Sequence, residues 1–306
     1  MKQYILTGVV LLAQGVFAAE PPKPTPAPED PPFALPAGVS LTSDVVFAEV
    51  DGQSLRLDLY QPESTKTPRS AAVFVHGGGW SAGDKSNFRR QAARLAAAGF
   101  VTVSINYRLA PGVLFPVPLH DCKAAVRWLR AHSPDYGIDP ERIAAVGGSA
   151  GGQLVALLAT TAGQPAYEGT VGVTGVSSRV AAVVAFNPVV DLVPLGTGAN
   201  AEGREISVRY LGCEPAANPA RWAEASPVNH VAPGVVPFLI LHGDADQLVP
   251  YVSSVKMVQL LQAAGGRAEL STVTGARHGF YHTPPWFETA TAQMVGFLQR
   301  ELGAGK

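Results

Sequence analysis

The sequence predicts a single α/β domain in which helices cover both faces of a mostly parallel sheet. Unbroken apolar runs recur along the chain, as expected for strands that are buried on both faces. Helix-like stretches separate consecutive runs, which is the pattern of parallel strands joined by crossover helices. With 306 residues, of which 47% are hydrophobic and 15% charged, the chain provides enough apolar side chains for one large core.

The strands are predicted in chain order from these runs. A hairpin comes first, because Asp51-Gly52 is a turn signal between the strand-like segments Val45–Val50 and Ser54–Tyr60. Six further runs complete the sheet: Ala71–Val75, Gly99–Ile105, Ile143–Val146, Val180–Phe186, Pro237–Leu241 and Ala268–Val273. Helical patterns are predicted over about residues 87–98, 119–132, 153–159 and 252–264. The region Asn187–Val235 is longer than an ordinary link, so we predict a lid insertion over about residues 187–235.

The N-terminus has the pattern of a signal peptide. Met1-Lys2 provides a short positive start, and the apolar run Tyr4–Leu12 is too short to span a bilayer. Small residues in Val16-Phe17-Ala18 predict cleavage after Ala18, so residues 1–18 are assigned to the signal peptide. We therefore expect an exported protein that is periplasmic or secreted.

A proline-rich tether is predicted next. Residues 21–36 contain eight prolines, which lack the amide hydrogen and fix φ, so residues 19–39 are interpreted as an extended spacer. Residues 40–306 are then predicted to form the folded α/β domain. No later window of about 20 apolar residues lacks charges, so no membrane span is expected in the mature chain.

Charge and cysteine content exclude further classes. The 23 Lys and Arg against 24 Asp and Glu give a net charge of −1, which argues against a nucleic-acid partner. Cys122 and Cys213 lack the neighbouring ligands of a zinc site. Their pairing in a disulfide stays open, because sequence does not give the distance between their Cα atoms.

The most informative motif is Gly147-Gly148-Ser149-Ala150-Gly151, which separates the strand-like Ile143–Val146 from a helix-like segment. A sharp strand-to-helix turn at G-x-S-x-G exposes the serine hydroxyl, and the flanking glycines avoid steric clash. The helix N-terminus favours developing negative charge. A glycine-rich connection with a bystander serine is the alternative, but the position between strand and helix favours a nucleophile.

A second motif, His76-Gly77-Gly78-Gly79-Trp80, follows the strand-like Ala71–Val75. Consecutive glycines allow backbone amides to approach a substrate carbonyl oxygen and to stabilise an oxyanion. A glycine run also suits phosphate binding, but the G-x-x-x-x-G-K-[ST] spacing is absent and Gly83-Asp84-Lys85-Ser86 is only a partial match.

The third group lies after the late strands. A serine needs an imidazole base, and the imidazole needs a carboxylate to fix its tautomer. His278 is the favoured base because it lies in a Gly-flanked loop after the final strand, and Asp244 and Asp246 are both candidate acids. His76 and His242 are expected to hold the backbone of their loops. A metal site at His278 and His282 is not expected, because no supporting carboxylate accompanies them.

Five motifs in this order resemble an α/β-hydrolase esterase, nearest to the hormone-sensitive-lipase-like carboxylesterases and the bacterial acetyl-xylan and feruloyl esterases. They are His76–Trp80, Asn106–Pro111, Gly147–Gly151, His242–Asp246 and His278–Phe280. The resemblance implies Ser149 as nucleophile, His278 as base and Asp246, rather than Asp244, as its partner. It also implies oxyanion amides at three positions, Gly78, Gly79 and Ala150.

Two features depart from the hormone-sensitive-lipase-like pattern. A tether and a hairpin stand where an N-terminal helical cap is usual, and Gln153 stands where a histidine often follows the elbow glycines. The His76–Trp80 motif followed by Gly83-Asp84-Lys85 looks more like the polysaccharide-esterase branch.

The resemblance implies a serine esterase that acts on short-chain carboxylic esters, including acetyl or feruloyl groups on plant polysaccharides. The expected partner is a small-molecule or carbohydrate ester, and no cofactor is required. Trp80 and Phe115 are predicted to form a wall of the substrate pocket under the lid, with packing in the ordinary core as the alternative for each of them. The alternatives are a serine peptidase or amidase of the same fold and a non-catalytic binding protein. The sequence does not determine the oligomeric state.

Overall fold

A computed structural model describes residues 33–63, 68–198 and 200–303, so the predicted signal peptide and most of the tether lie outside the described residues. Within them, eight strands form one sheet: β1 (Val39–Val50), β2 (Gln53–Pro62), β3 (Arg69–Val75), β4 (Val101–Ile105), β5 (Ile138–Gly148), β6 (Ala182–Phe186), β7 (Phe238–Gly243) and β8 (Ala268–Val273). Their spatial order is β1-β2-β4-β3-β5-β6-β7-β8. The β1–β2 and β2–β4 pairs are antiparallel, and all other pairs are parallel. The predicted α/β class is therefore confirmed.

The helices connect these strands. They are α1 (Arg89–Ala97), α2 (Val117–Ala131), α3 (Ser133–Tyr136), α4 (Ala150–Thr160), α5 (Pro165–Glu168), α6 (Leu192–Thr197), α7 (Ala201–Leu211), α8 (Pro219–Glu224), α9 (Tyr251–Ala263) and α10 (Trp286–Leu302). Helices α1 and α10 pack on one face of the sheet, and α2, α4 and α9 pack on the other. Across the described residues, no helix is long and apolar enough to cross a membrane.

Strand residues alternate between the two cores, which explains the unbroken apolar runs. In β3, Val73 and Val75 face the core under α2 and α4, whereas Ala72 and Phe74 face the core under α1 and α10. Because both faces are covered, neither set of positions can be polar without a partner.

Helix α10 was not among the sequence predictions. Its buried side chains recur at helical spacing, since Ala290, Met294, Phe297 and Leu298 lie on the face that packs against the sheet. This periodicity was the signal that could have identified the helix.

A buried ion pair fixes the segment between α4 and β6. The Lys123 ammonium on α2 is fully buried and donates to the Thr161 carbonyl at 2.9 Å and to the Glu168 carboxylate at 2.8 Å. Burial lowers the pKa of Lys123, and the Glu168 charge opposes this shift. Burial of Glu168 disfavours its charge, but hydrogen bonds from Lys123 and Ser178 keep its pKa below the ordinary value. The pair is therefore ionised and holds the segment to α2.

Glu168→Gln is expected to lower the free energy of unfolding by about 3–5 kcal/mol, because it leaves the buried Lys123 cation without a counter-charge. Urea denaturation measures the change. Glu214→Gln is the matched control, since the Arg204–Glu214 pair is about half exposed, and its loss should cost less than about 1 kcal/mol. An equal effect of the two substitutions would contradict the structural role of the buried pair.

The two cysteines are free thiols. Cys122 is buried on α2, where burial raises the pKa of its thiol well above the usual range. The disulfide that the sequence left open is therefore not formed, and Cys122 acts as a small apolar core residue.

Candidate active site

Ser149 occupies the sharp turn between β5 and α4. Its backbone has φ 54° and ψ −118°, and its N–H donates to the Phe186 carbonyl on the adjacent strand at 2.9 Å. The turn brings the start of α4 so close to β3 that a Cβ at Gly151 would lie 2.1 Å from the Val75 carbonyl oxygen. Only glycine fits there, so the glycine of the motif permits the strained conformation that presents the Ser149 hydroxyl.

Three side chains that are distant in sequence meet at this turn. The Ser149 Oγ lies 2.9 Å from His278 Nε2, and His278 Nδ1 lies 2.8 Å from Asp246 Oδ2. Asp244, the other candidate acid, instead accepts from the Gly275 N–H at 2.7 Å in an exposed turn. The structure therefore brings together Ser149, His278 and Asp246 and leaves Asp244 outside the cluster.

Asp246 is held as an anion. Its side chain is fully buried, and burial alone would disfavour the charge. Hydrogen bonds from His242 and His278, with the Val249 N–H, outweigh burial and hold the pKa of Asp246 well below its usual value. Oδ1 accepts from the Leu248 and Val249 N–H groups, each at 2.9 Å. The carboxylate is thus charged and oriented where it meets the His278 ring.

Asn187 also contacts the His278 loop and was not a site residue in the sequence predictions. It follows β6 directly and has a φ of 34°. Its Oδ1 accepts from the Gly279 N–H at 3.3 Å, and its Nδ2 lies 3.4 Å from His278 Nε2. Its position at the carboxyl end of a parallel strand was the available signal.

Two of the three predicted oxyanion residues lie at the pocket that contains Ser149. Gly79 and Ala150 line the same pocket as Ser149. Ala150 is the first residue of α4, so its N–H has no acceptor within the helix. Gly78 is not among the lining residues; its carbonyl accepts from the Ser81 and Ala82 N–H groups. A Cβ at Gly78, with φ 105°, would lie 2.2 Å from the Ala82 oxygen, so this glycine shapes the loop that presents Gly79.

The pocket beside Ser149 is small and mainly apolar, with a cavity volume of about 40 Å³. Side chains from the predicted lid region cover it: Val189, Leu195, Ile206 and Ser207. Leu248 and Val249 line it from the loop that carries Asp246. Residues between 189 and 207 of the predicted lid region thus line the pocket that contains Ser149.

Trp80 forms one wall of this pocket, at the position that the sequence predicted. Its indole N–H donates to Gln153 Oε1 at 3.0 Å, and its ring stacks on Tyr210 of α7 at 4.2 Å. Gln153 Nε2 in turn donates to the Ala225 carbonyl at 2.8 Å. Gln153 therefore fixes both the Trp80 ring and the segment after α8.

Phe115 does not line the pocket, contrary to its predicted role. Its ring packs edge-on against Tyr210 at 5.9 Å, and its N–H donates to the Tyr210 carbonyl at 3.1 Å. Tyr210 contacts both aromatic residues, so Phe115 supports the ring on which Trp80 stacks without lining the cavity.

The two histidines at strand ends differ from each other. His76 stacks on Tyr107 at 4.3 Å, and its Nδ1 lies 2.7 Å from the Gly77 carbonyl, in agreement with a backbone-holding role. Burial lowers the pKa of His76, which favours the neutral ring. His242 Nε2 lies 3.1 Å from the Val249 carbonyl, as a backbone-holding role requires, but also 3.1 Å from Asp246 Oδ2. His242 therefore contacts the active-site carboxylate directly.

The arrangement suits proton transfer and nucleophilic attack by a serine. The His278 ring is within hydrogen-bond distance of both Ser149 and Asp246, as a general base requires. Among residues 33–63, 68–198 and 200–303, no group of three or more His, Cys, Asp or Glu side chains has the arrangement of a metal site. The His278 and His282 pair is thus not accompanied by further ligands there.

Comparisons with known proteins identify the family of the chain. The BD-FAE family model matches residues 57–261. The probable carboxylic ester hydrolase LipM of Mycobacterium tuberculosis is 34% identical over 78% of this chain and 56% of its own length. Esterase LipQ of the same organism is 32% identical over 78% of this chain and 57% of its own length. The chain thus spans just over half the length of these curated relatives.

Solved structures match over most of their length. An esterase of Thermogutta terrifontis, Est2, is 31% identical with a TM-score of 0.73, covering 88% of this chain and 94% of that one. A truncated carbohydrate esterase from gut microbiota is 28% identical with a TM-score of 0.76, covering 86% and 96%. The chain therefore belongs to the BD-FAE family and has the α/β-hydrolase fold of these esterases.

Proposed function

We propose that the protein is a serine esterase that hydrolyses esters of short carboxylic acids through an acyl-enzyme on Ser149. The observation that carries the proposal is the hydrogen-bonded series Ser149–His278–Asp246 at the mouth of a small apolar pocket. The names of the relatives, which are esterases and a carboxylic ester hydrolase, support the same reaction.

In the first half of the reaction, Ser149 Oγ attacks the ester carbonyl carbon while His278 Nε2 takes its proton. The carbonyl oxygen becomes an oxyanion, which the N–H groups of Ala150 and Gly79, two residues that line the pocket, would stabilise. Asp246 stabilises the imidazolium without taking its proton. The bond from carbon to the alcohol oxygen then breaks, and His278 returns the proton to the departing alcohol.

In the second half, water attacks the acyl-Ser149 carbonyl as His278 Nε2 accepts its proton. The same N–H groups stabilise the second oxyanion. The ester bond to Ser149 Oγ breaks, the serine recovers its proton from His278, and the carboxylic acid leaves. Only side chains and water take part, so the cycle requires no cofactor.

Pocket size favours an acetyl group over a feruloyl group as the acyl substituent. By the measure used for cavities, one water requires about 10–15 Å³. The pocket beside Ser149, about 40 Å³ by this measure and lined mainly by apolar side chains, therefore favours a short aliphatic acyl substituent. One similar structure is a carbohydrate esterase, so a sugar is a reasonable alcohol component of the ester.

A substrate panel tests this proposal. We expect turnover of p-nitrophenyl acetate and of acetylated xylan, with methyl ferulate and an aminoacyl anilide hydrolysed at least about 100-fold more slowly. Faster turnover of the anilide would assign the protein as a peptidase or amidase. Faster turnover of the ferulate would contradict the acyl-pocket assignment.

Ile206→Ala is expected to broaden the acyl preference. Ile206 on α7 lines the pocket, and its Cγ2 lies 2.8 Å from the position of a Cβ at Gly79. Removing three carbons should raise the ratio of kcat/KM for p-nitrophenyl butyrate to that for acetate about 10-fold, the effect of one or two methylenes in a hydrophobic pocket. Val208→Ala on the same helix is the control, because Val208 does not line the pocket. An unchanged ratio in Ile206→Ala would place the acyl group elsewhere.

A further inference from the structure

Two imidazole rings contact the same oxygen of the active-site carboxylate. Asp246 Oδ2 lies 2.8 Å from His278 Nδ1 and 3.1 Å from His242 Nε2. The other oxygen accepts from the Leu248 and Val249 N–H groups. A carboxylate has about four lone-pair positions. These four donors fill all of them, in a side chain that water does not reach.

The contacts of His242 determine which of its nitrogens carries the proton. Nε2 faces two acceptors, Asp246 Oδ2 and the Val249 carbonyl, each at 3.1 Å. A hydrogen must therefore lie on Nε2. Nδ1 lies 2.7 Å from the Ser254 hydroxyl on α9, which can donate to an unprotonated nitrogen. A neutral ring with the proton on Nε2 satisfies every one of these contacts.

We propose that His242 is a positioning residue for the active site, neutral and locked in its Nε2–H tautomer by Ser254. It fixes the orientation of the Asp246 carboxylate and shares the negative charge of Oδ2 with His278. Sharing weakens the attraction between Asp246 and a protonated His278. This inference rests on the proposed function and adds a fourth side chain to its proton-transfer system.

The elements packed around the pair carry other titratable groups, two tyrosines and one lysine. Tyr251 of α9 meets His242 edge-on at 5.7 Å. Burial, together with the charge of Asp246, raises the pKa of Tyr281, so that phenol stays neutral. Lys256, the cation on α9, is paired with Asp191 at 2.5 Å. Asp246 is thus the negative charge that His242 faces directly.

Two amide substitutions separate the roles of the two ring nitrogens. A glutamine amide reaches the position of Nε2, so His242→Gln keeps a donor to Asp246. An asparagine amide reaches only the position of Nδ1, so His242→Asn keeps the contact with Ser254 and removes the donor. With p-nitrophenyl acetate, we expect His242→Asn to lower kcat about 10-fold with KM unchanged. The acid limb of its kcat/KM profile should move to higher pH by about 0.5 unit. His242→Gln should recover most of the kcat lost in His242→Asn and return the acid limb toward its wild-type pH.

Equal profiles for the two variants and the wild type would overturn the proposal, as would an acid limb of His242→Asn that moves to lower pH. An independent measurement needs neither substrate nor variant. Nitrogen NMR of the ¹⁵N-histidine wild type at pH 7 should show His242 with a proton on Nε2 and none on Nδ1. A proton on Nδ1 would refute the tautomer assignment. Absence of hydrolysis by the wild type would refute the esterase and leave this NMR result intact, so the two failures are distinguishable.

Discussion

Replacing Ser149 with alanine is expected to lower kcat for p-nitrophenyl acetate about a million-fold, the loss seen when a serine nucleophile is removed from a comparable triad. Alanine has no oxygen to attack the carbonyl, whereas the pocket and the amides of Gly79 and Ala150 remain. Binding of the ester should therefore change little. Initial rates with purified wild type and variant measure the ratio.

Thermal unfolding controls for misfolding in this comparison. Alanine at φ 54° carries the same backbone strain as serine, so the melting temperatures of wild type and Ser149→Ala should be similar. Ser40→Ala, an exposed serine on β1, should retain full activity. If the folded Ser149→Ala variant kept more than about a hundredth of the wild-type kcat, a nucleophile other than Ser149 would carry the reaction.

Asp246→Asn should lower kcat about 10,000-fold at pH 7, because an amide presents an N–H to His278 Nδ1 and stabilises the wrong tautomer. Asp244→Asn is the matched control two residues earlier. The Asp244 carboxylate accepts only from the Gly275 N–H in a turn, so its activity should stay within about 2-fold of the wild type. Comparable losses in both variants would contradict the assignment of Asp246.

We also expect the stability difference between the wild type and Asp246→Asn to depend on pH. Because the pKa of Asp246 is lower in the folded protein than its unfolded value of about 3.9, ionised Asp246 stabilises the fold above that pH. The contribution is lost as the pH falls through the folded value. The difference in unfolding free energy between wild type and Asp246→Asn should therefore shrink between pH 7 and pH 2, as urea titrations at both pH values would show. A difference independent of pH would contradict the ionised state of Asp246.

The main chemistry could be predicted from sequence because it is encoded by local patterns. Ser149 lies in a five-residue motif between a strand and a helix, and Asp246 and His278 follow later strands in the chain. Parallel strands bring their carboxyl ends to one edge, so residues that follow strands meet there whatever their separation in sequence. The eight predicted strands are also present: the first two follow from the Asp51-Gly52 turn signal, and the other six from apolar runs.

The remaining features depend on three-dimensional packing. Phe115 packs against Tyr210, which lies about 100 positions later in the chain, and does not line the pocket. Trp80 stacks on the same tyrosine and does line the pocket. His242 contacts both the Val249 carbonyl and the Asp246 carboxylate, because the loop to Val249 folds back onto its ring. No local sequence pattern predicts the packing of Phe115 or the two contacts of His242. Helix α10 is different, because its periodic apolar positions were present in the sequence.

Labelling with paraoxon tests the central claim most directly. Esterase 2 of Thermogutta terrifontis is known in a form phosphorylated by paraoxon, which makes this reagent a suitable probe. With this protein, we expect one equivalent of p-nitrophenol to be released and a diethylphosphoryl group to appear by peptide mass spectrometry on Ser149, with neither signal in Ser149→Ala. A phosphoryl group on another residue, or no adduct on the folded wild type, would contradict an activated Ser149.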